Sequence, residues 1–198
     1  MAVLIAFYSR AGENYFAGEY RRIAVGNTEK AAKMLAELTG GTLYKIRQAK
    51  PYSEDYQSCI AEAKADLRKK DRPEVLELPD DLDAYDEIYL GYPNYWGTMP
   101  MAVYTFLEHY DLTGKTIHPF CTHEGSGLSH TVQDVQKAAA GATVTKGLAI
   151  RGSSVDRRGG NGAARRAGGA PRRGGRSLRD HQGRAGLRRG GWQPRQSH

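Results

Sequence analysis

The sequence predicts a doubly wound α/β fold whose sheet has five parallel strands, and three observations lead to this prediction. Apolar segments alternate five times with segments of helical periodicity along residues 1–155, and the connections between them are short. The first apolar run, residues 2–8, is continuous, as in a strand that is covered on both faces. Alternating strands and helices with right-handed crossovers build a parallel sheet, for which we expect the strand order 2-1-3-4-5.

The individual elements follow from apolar runs and from the residues that interrupt them. Strands are expected at residues 2–8, 42–46, 87–92, 116–122 and 143–150. Apolar side chains spaced by three and four residues predict helices from 28 to the Gly40-Gly41 stop, at 53–70, from 100 to before 114, and from about 129 to near 141. In this order the loops after strands 1, 3 and 4 open at one carboxyl edge of the sheet, where ligands bind in such folds.

Charge is divided unevenly along the chain. Residues 157–198 contain twelve Arg and one Asp, a net charge of +11, so the formal +7 of the whole chain leaves −4 for residues 1–156. The basic segment has too few apolar residues to build a core. We therefore expect a folded domain at 1–156 and a disordered Arg/Gly-rich tail at 157–198.

The tail has two interpretations. Arg-Arg-Gly-Gly begins at positions 157, 172 and 188, a pattern typical of nucleic-acid binding through phosphate contacts and guanidinium stacking. The body, however, uses ten Lys and seven Arg, whereas the tail has no Lys, so we favour a frameshifted reading of GC-rich DNA. Nucleic-acid binding is thus expected only through the tail.

Cysteine usage and the apolar N-terminus bear on the compartment. Cys59 and Cys121 are the two cysteines, and they lack CxxC spacing. This cysteine usage favours a reducing compartment and argues against a structural zinc site. The apolar run at residues 1–8 is too short for a membrane span and has no basic region before it. We therefore expect a cytoplasmic protein with no signal peptide, no membrane association and no metal.

The loop after strand 3 offers a surface for a flat ring. It reads Gly91-Tyr-Pro-Asn-Tyr-Trp-Gly-Thr-Met-Pro100, in which Tyr95 and Trp96 have stacking faces. Pro93 restricts the backbone, and Gly97 permits close approach or a peptide flip. The same aromatics could instead plug the end of the sheet, and this loop alone leaves both interpretations open.

The loop after strand 1 ends in Gly26-Asn-Thr28 at a helix start. Free backbone N–H groups and the helix dipole favour a phosphate monoester at such a position, although an ordinary helix start is the alternative. Ser9 can add a hydroxyl, and Arg10 could pair with a phosphate or remain solvated. P-loop and dinucleotide sites are disfavoured because neither GxxxxGK[ST] nor GxGxxG occurs here.

The loop after strand 4 contains Thr122-His-Glu-Gly-Ser-Gly127, whose backbone N–H groups can converge on a carbonyl or an anion. This chemistry suits the pyrimidine edge of a flavin. His123 could instead be a general base or merely solvated. A serine hydrolase is disfavoured because the serine is not in a GxSxG sequence.

These three loops resemble those of the flavodoxin family of FMN-binding proteins over residues 1–155. The resemblance implies FMN as cofactor and one-electron or two-electron transfer through it. Two departures are an insertion at 13–24, which splits the phosphate loop, and Arg10, which stands where small polar residues are usual. The helix that normally follows strand 5 is also expected to be missing. By resemblance, the phosphate is held by Ser9, Arg10, Ala11, Asn27 and Thr28, the isoalloxazine is bordered by Pro93, Asn94, Tyr95, Trp96 and Gly97, and its pyrimidine side is held by Thr122, His123, Glu124, Gly125, Ser126 and Gly127.

Two functions remain open at this level. The favoured one is an electron carrier that exchanges electrons with partner proteins, a reductase and an acceptor. The alternative is an NAD(P)H-dependent quinone or flavin oxidoreductase, because Pro93-x-Tyr95-x-Gly97-x-x-Pro100 also resembles the flavin loop of those enzymes. In either case we expect a carbonyl near Trp96 and Gly97, exposed by a peptide flip, to accept a hydrogen bond from flavin N5.

Overall fold

A computed structural model describes residues 2–155, so the expected disordered tail at 157–198 lies outside the described residues. The strands are β1 (Ala2–Phe7), β2 (Gly12–Phe16), β3 (Glu19–Ile23), β4 (Thr42–Lys45), β5 (Arg47–Gln48), β6 (Val75–Leu76), β7 (Tyr85–Pro93), β8 (Thr116–His123), β9 (Thr143–Val144) and β10 (Leu148–Arg151). The helices are α1 (Asn27–Thr39), α2 (Tyr56–Lys69), α3 (Met101–His109) and α4 (Thr131–Ala138).

Two helix boundaries show how local sequence positions the elements. Helix α1 ends at Gly40, whose φ of +69° is a left-handed conformation that glycine adopts without strain. Helix α2 begins after Asp55, whose carboxylate accepts a hydrogen bond from the Ser58 N–H at 2.7 Å. No helix within residues 2–155 has the length and apolar character that crossing a membrane requires.

The main sheet has the order β10-β8-β7-β1-β4, and all its pairings are parallel. Predicted strands 1 to 4 correspond to β1, β4, β7 and β8, and predicted strand 5 includes β10. The observed order therefore confirms the predicted order 2-1-3-4-5. The fifth strand, predicted to be continuous over 143–150, is divided into β9 and β10, which both pair with β8. Ile117 pairs with Val144 and Phe120 with Leu148, so one extra residue must be accommodated, and Gly147 with φ +75° lies in the interruption.

The core occupies both faces of the main sheet, but unequally. Side chains alternate along β1, so Leu4 and Ala6 face the larger cluster with α2, α3 and α4, whereas Ile5 and Phe7 face α1. Leu148 of β10 is 57% exposed. Residues 152–155, directly after β10, are helical, although the helix that follows strand 5 was predicted to be missing. The rest of that prediction concerns residues beyond 155 and stays a prediction.

Residues 12–23, which include most of the insertion at 13–24, form an antiparallel hairpin of β2 and β3. Its two-residue turn consists of Ala17 and Gly18, with φ of +47° and +109°. Positive φ at both central positions defines a type I′ turn, which Asn-Gly or Asp-Gly usually forms. The sequence therefore lacks the usual signal for this hairpin. The hairpin lies beside the start of α2 and supplies one wall of the site described next.

Candidate functional site

The loops after β1, β7 and β8 meet at the carboxyl edge of the sheet and enclose an open cleft. The cleft has about 610 Å³ of atom-free space, counting its mouth. It includes most of the residues that the sequence singled out at this edge. The lining residues are Ser9, Arg10, Asn14, Tyr15, Asn27, Thr28, Tyr56, Pro93, Asn94, Tyr95, Thr122, His123, Glu124 and Gly152.

One end of the cleft is the start of α1. Ser9 Oγ accepts a hydrogen bond from the Glu29 N–H at 3.1 Å, which fixes the β1 loop on the helix. The N–H groups of Asn27 and Thr28 have no acceptor within residues 2–155, and the buried Oδ1 of Asn27 has no partner there either. Free N–H groups at a helix N-terminus can bind an anion.

Gly26 permits the close approach of the β1 loop to α1. A Cβ at this position would overlap Ser9 Oγ and the Arg10 carbonyl oxygen. On β8, which β7 separates from β1 in the sheet, Thr122 Oγ1 lies 2.7 Å from Thr28 Oγ1, and both threonines are buried. Hydrogen bonds and tight packing therefore join β1, α1 and β8 at this end.

Arg10 has a structural role that the sequence did not indicate. Its guanidinium donates to the carbonyl oxygens of Ser53 at 2.9 Å and Glu54 at 3.1 Å, and also to that of Glu13. The arginine thus ties the hairpin to the segment before α2. Its buried Nε has no partner within the described residues. The predicted contact with a phosphate stays a prediction.

Asn94 connects the loops after β7 and β8. Its backbone N–H donates to the Thr122 carbonyl at 2.9 Å, and its Nδ2 donates to the Gly127 carbonyl at 3.0 Å. Its Oδ1 accepts from the Gly97 N–H at 3.0 Å. Asn94 therefore lines the cleft and also holds both loops in position.

Tyr95, Trp96, Gly97 and Thr98 form a tight turn at the other end of the cleft. Tyr95 and Thr98 exchange backbone hydrogen bonds of 2.8 and 3.1 Å. Trp96 and Gly97 between them have φ of +56° and +86°, so the turn is type I′. A positive φ is unfavourable for tryptophan, so this turn holds backbone strain at Trp96.

The two aromatic side chains of this turn point to different places. Tyr95 lines the cleft and also packs beside Tyr8 and Tyr52, with ring centroids 6.4 and 6.3 Å away. Tyr95 therefore packs at the end of the sheet, and its contact with a flat ring stays a prediction. Trp96 does not line the cleft: its Nε1 donates to the Ile60 carbonyl of α2 at 2.9 Å. Burial raises the pKa of Tyr95 well above its usual value, so its hydroxyl stays neutral.

Glu124 lies near the start of α1. Its Oε1 accepts from the Ser153 N–H at 2.6 Å, while its Oε2 is 3.9 Å from Arg151 Nε. A Cβ on Gly152 would lie 2.5 Å from Asn27 Nδ2 and 2.7 Å from Glu124 Oε1, so these two side chains converge on that glycine. The carboxylate therefore adds negative charge close to the helix N-terminus.

The remaining predicted residues lie beside the cleft or on the loops that border it. Ala11 is exposed beside it, and the Gly97 carbonyl accepts from the His130 N–H at 3.0 Å. His123 lines the cleft, and its Nδ1 accepts from the Gly125 N–H at 3.1 Å. Ser126 and Gly127 offer their carbonyls to Ser129 and Asn94. The contacts of these residues with a cofactor stay predictions.

Sequence reasoning missed four residues that line the cleft: Asn14, Tyr15, Tyr56 and Gly152. Asn14 and Tyr15 lie on the hairpin, and Tyr56 is the first residue of α2. The two tyrosines at 15 and 20 of the insertion were the available signal.

The two cysteines are buried and reduced. Burial raises the pKa of Cys121 to about 12, and it also raises the pKa of Cys59. Both thiols are therefore protonated at neutral pH, and thiolate chemistry is disfavoured. Within residues 2–155 there is no group of three His, Cys, Asp or Glu side chains that could hold a metal ion.

Comparisons with known proteins point to one family. The flavodoxin family model matches residues 18–158. A protein from Bacteroides uniformis assigned as a flavoprotein is 30% identical, with a TM-score of 0.64 over 79% of this chain and 94% of that one. A similarly assigned protein from Bacteroides eggerthii is 25% identical, with a TM-score of 0.62 over 83% and 99% of the two chains.

A third solved structure shares the fold. It is a flavoprotein from Lactobacillus acidophilus in complex with FMN, 23% identical, with a TM-score of 0.54 over 79% of this chain and 97% of that one. A search of curated proteins returned no match.

Proposed function

Since this chain belongs to the flavodoxin family, we propose that it holds FMN in the cleft described above and carries electrons through that cofactor. The observation that carries the proposal is that a helix start whose N–H groups lack acceptors within residues 2–155 and a turn with two aromatic residues meet at one cleft. FMN, when bound, supplies one-electron and two-electron redox chemistry. The protein binds the cofactor, orients it and limits its access to water.

The α1 end fits the phosphate group. The N–H groups of Asn27 and Thr28 lack acceptors within residues 2–155, and the helix dipole adds about 0.3–1 kcal/mol of stabilisation for an anion. Arg10 Nε is a further buried donor without a partner in this range. Ser9 is already used as an acceptor for Glu29, so its hydroxyl hydrogen is free to donate to a phosphate oxygen.

The other end fits the flat ring system. Pro93 and Tyr95 present apolar surface to the cleft, and His123 adds a polar group on the β8 side. A ligand site that combines an apolar wall with a few placed polar groups is typical for small molecules. Asn94 holds the two sides together and so fixes the width of the site.

The turn also bears on how the protein could adjust the potential of the cofactor. The Trp96 carbonyl accepts no hydrogen bond within the described residues, and Gly97 tolerates either sign of φ. Rotation of the Trp96–Gly97 peptide would expose this carbonyl to the ring. The rotated turn is type II′, which prefers glycine at the position of Trp96, so we infer that the rotation carries a conformational cost of about 1–3 kcal/mol.

A second candidate function, an NAD(P)H-dependent quinone or flavin oxidoreductase, is favoured by an adjoining pocket. The pocket has about 500 Å³ of atom-free space and shares Tyr56, Asn94 and Tyr95 with the cleft. Ile60, Ala63 and Trp96 complete its mostly apolar lining. A flat apolar ring such as a quinone suits this lining.

Titration of the purified full chain with FMN tests the first proposal. We expect saturable changes in flavin absorbance and fluorescence at one FMN per chain, followed by reversible reduction in a reductive titration. Unchanged flavin spectra at all FMN concentrations would contradict FMN binding.

The two functions are then separated with the FMN-loaded protein. Rapid NAD(P)H oxidation in the presence of a quinone supports the oxidoreductase. Reduction that occurs only when a partner reductase is added, with onward transfer to an acceptor protein, supports the carrier.

A further inference from the structure

The outer wall of the cleft carries a cluster of three tyrosines that comes from the hairpin and the start of α2. Tyr15 and Tyr56 line the cleft, and Tyr20 packs behind them. Tyr15 is 40% exposed and Tyr20 is 53% exposed. Aromatic side chains of this size that remain open at the mouth of a cleft mark a surface suited to a ligand.

The three rings form one packed group. The rings of Tyr15 and Tyr56 are inclined by 30°, with centroids 6.2 Å apart. Tyr20 lies 5.9 Å from Tyr15 and 5.3 Å from Tyr56, and its hydroxyl accepts a hydrogen bond from Gln57 Nε2 at 2.8 Å. The two cleft rings are thus held by a third ring that itself is anchored to α2.

Backbone contacts fix the hairpin on the α2 side of the cleft. The Glu13 N–H donates to the Glu54 carbonyl at 3.0 Å, and Glu13 Oε2 accepts from the Tyr56 N–H at 3.2 Å. Gly12 makes the approach possible, since a Cβ on it would lie 3.1 Å from the Glu54 carbonyl oxygen. Its φ of +83° also favours glycine. The wall is therefore a built part of the fold.

Position along the cleft indicates which part of a ligand meets this wall. Tyr56 lines both the cleft and the adjoining pocket. Tyr95 of the turn and Asn94, which precedes the turn, line both as well. The wall and the turn therefore border the same end of the cleft, where Pro93 and Tyr95 present apolar surface. The phosphate end, in contrast, is lined by Ser9, Asn27 and Thr28.

We propose that Tyr15 and Tyr56 are cofactor-contacting residues that pack against the flavin ring system, and that Tyr20 positions them. This inference rests on the proposed function. Aromatic rings gain affinity from offset stacking and edge contacts in addition to buried area. The hairpin thereby contributes directly to cofactor affinity.

Titrations of FMN into full-length Tyr15→Ala and Tyr56→Ala test the proposal, with Tyr15→Phe and Tyr56→Phe as matched controls. We expect each alanine variant to bind FMN roughly tenfold more weakly, whereas the phenylalanine variants stay within about twofold of the wild type. Visible circular dichroism of the bound flavin supplies a second measurement, which the alanine variants are expected to change. Thermal unfolding without FMN establishes that each variant is folded.

The positioning role of Tyr20 is tested through the hairpin. We expect Tyr20→Ala and Gly12→Ala to change the visible circular dichroism of bound FMN and to weaken binding by about threefold to tenfold, while Tyr20→Phe does neither. Gly12→Ala removes no aromatic ring and can change the wall only by shifting the backbone of the hairpin. Its effect therefore separates the position of the tyrosine rings from the loss of a ring.

Wild-type affinity and an unchanged flavin spectrum in both alanine variants at 15 and 56 would overturn the proposal. Normal FMN binding combined with a raised KM for a quinone would overturn it as well, because the wall would then contact a second aromatic ligand. Failure of the wild-type chain to bind FMN would instead contradict the proposed function.

Discussion

The two ends of the cleft are built from different kinds of structure. At the α1 end, the buried pair of Thr28 and Thr122 and the bond from Glu29 to Ser9 join the central strands to their helix. At the turn end, Trp96 and Gly97 have positive φ, and the Trp96 indole donates a hydrogen bond to the Ile60 carbonyl of α2. The first end is organised by the core, whereas the second depends on a strained turn and surface elements. We expect substitutions at the first end to act mainly on cofactor affinity, and those at the second to act also on redox properties.

Gly26→Ala is expected to have the largest effect, because it breaks the α1 end. The new Cβ would overlap Ser9 Oγ and the Arg10 carbonyl, so the β1 loop must move away from the helix start. Loss of two charge-assisted hydrogen bonds to the phosphate would cost about 3 kcal/mol, roughly a hundredfold in FMN affinity. FMN titration measures this. Leu38→Ala, an 82% exposed position on the same helix, is the control. Unchanged affinity in the Gly26 variant would show that close approach is not required.

Gly97→Val probes the turn end. At φ +86° a β-branched residue is strained, and we expect the free energy of unfolding to fall by about 1–3 kcal/mol. We also expect altered FMN affinity or altered reduction potentials, measured by denaturant unfolding and redox titration. Gly97→Asn is the matched control, since asparagine tolerates positive φ. Unchanged potentials together with normal binding in the valine variant would contradict a role for this turn in adjusting the cofactor.

Thr28→Val and Thr122→Val test whether the core really organises the α1 end. Each change leaves the partner hydroxyl buried without its 2.7 Å hydrogen bond, and we expect each to lower the free energy of unfolding by about 1–2 kcal/mol. The double variant leaves no orphaned hydroxyl, so its cost should be smaller than the sum of the two. Urea unfolding of the four proteins gives the coupling energy. Strict additivity would mean that the hydroxyl pair does not couple α1 to β8.

Glu124→Gln is expected to have the smallest effect, and in the opposite direction. The carboxylate lies near Asn27 at the helix start, where it repels a phosphate. Removing its charge should strengthen FMN binding by about 1 kcal/mol, roughly fivefold, while the amide oxygen keeps the bond from Ser153. The gain should change little with salt, because the Glu124 side chain is only 14% exposed and salt screens such charges weakly. Weaker binding would instead support the predicted contact of Glu124 with the pyrimidine side of the flavin.

The site was predictable to the extent that it depends on strand ends. Ser9, Asn27, Thr122 and Tyr95 follow or precede apolar runs whose order in a parallel sheet is restricted by short right-handed connections. Their meeting at one edge could therefore be expected from the chain alone. Trp96 was expected to flank the ring on the same grounds; its indole donates a hydrogen bond to α2, and its contact with the ring stays a prediction. Adjacent residues in a tight turn point in different directions, and the direction is set by φ.

The hairpin was less accessible to prediction. Its turn at Ala17 and Gly18 lacks the usual Asn-Gly pair, and its second strand is mostly exposed. What holds it in position are bonds between residues far apart in the chain, such as the Glu13 N–H and the Glu54 carbonyl. Such contacts leave no periodic signal in the sequence.

The sequence by itself determined the parallel sheet, its strand order and the edge at which the loops gather, because apolar periodicity and connection length restrict topology strongly. Tertiary structure alone decided which side chains line the cleft, that Arg10 binds carbonyls beside α2, and that Tyr15 and Tyr56 form its outer wall. These outcomes depend on the directions of individual side chains and on packing between segments distant in sequence, and a local pattern of residues does not specify either one.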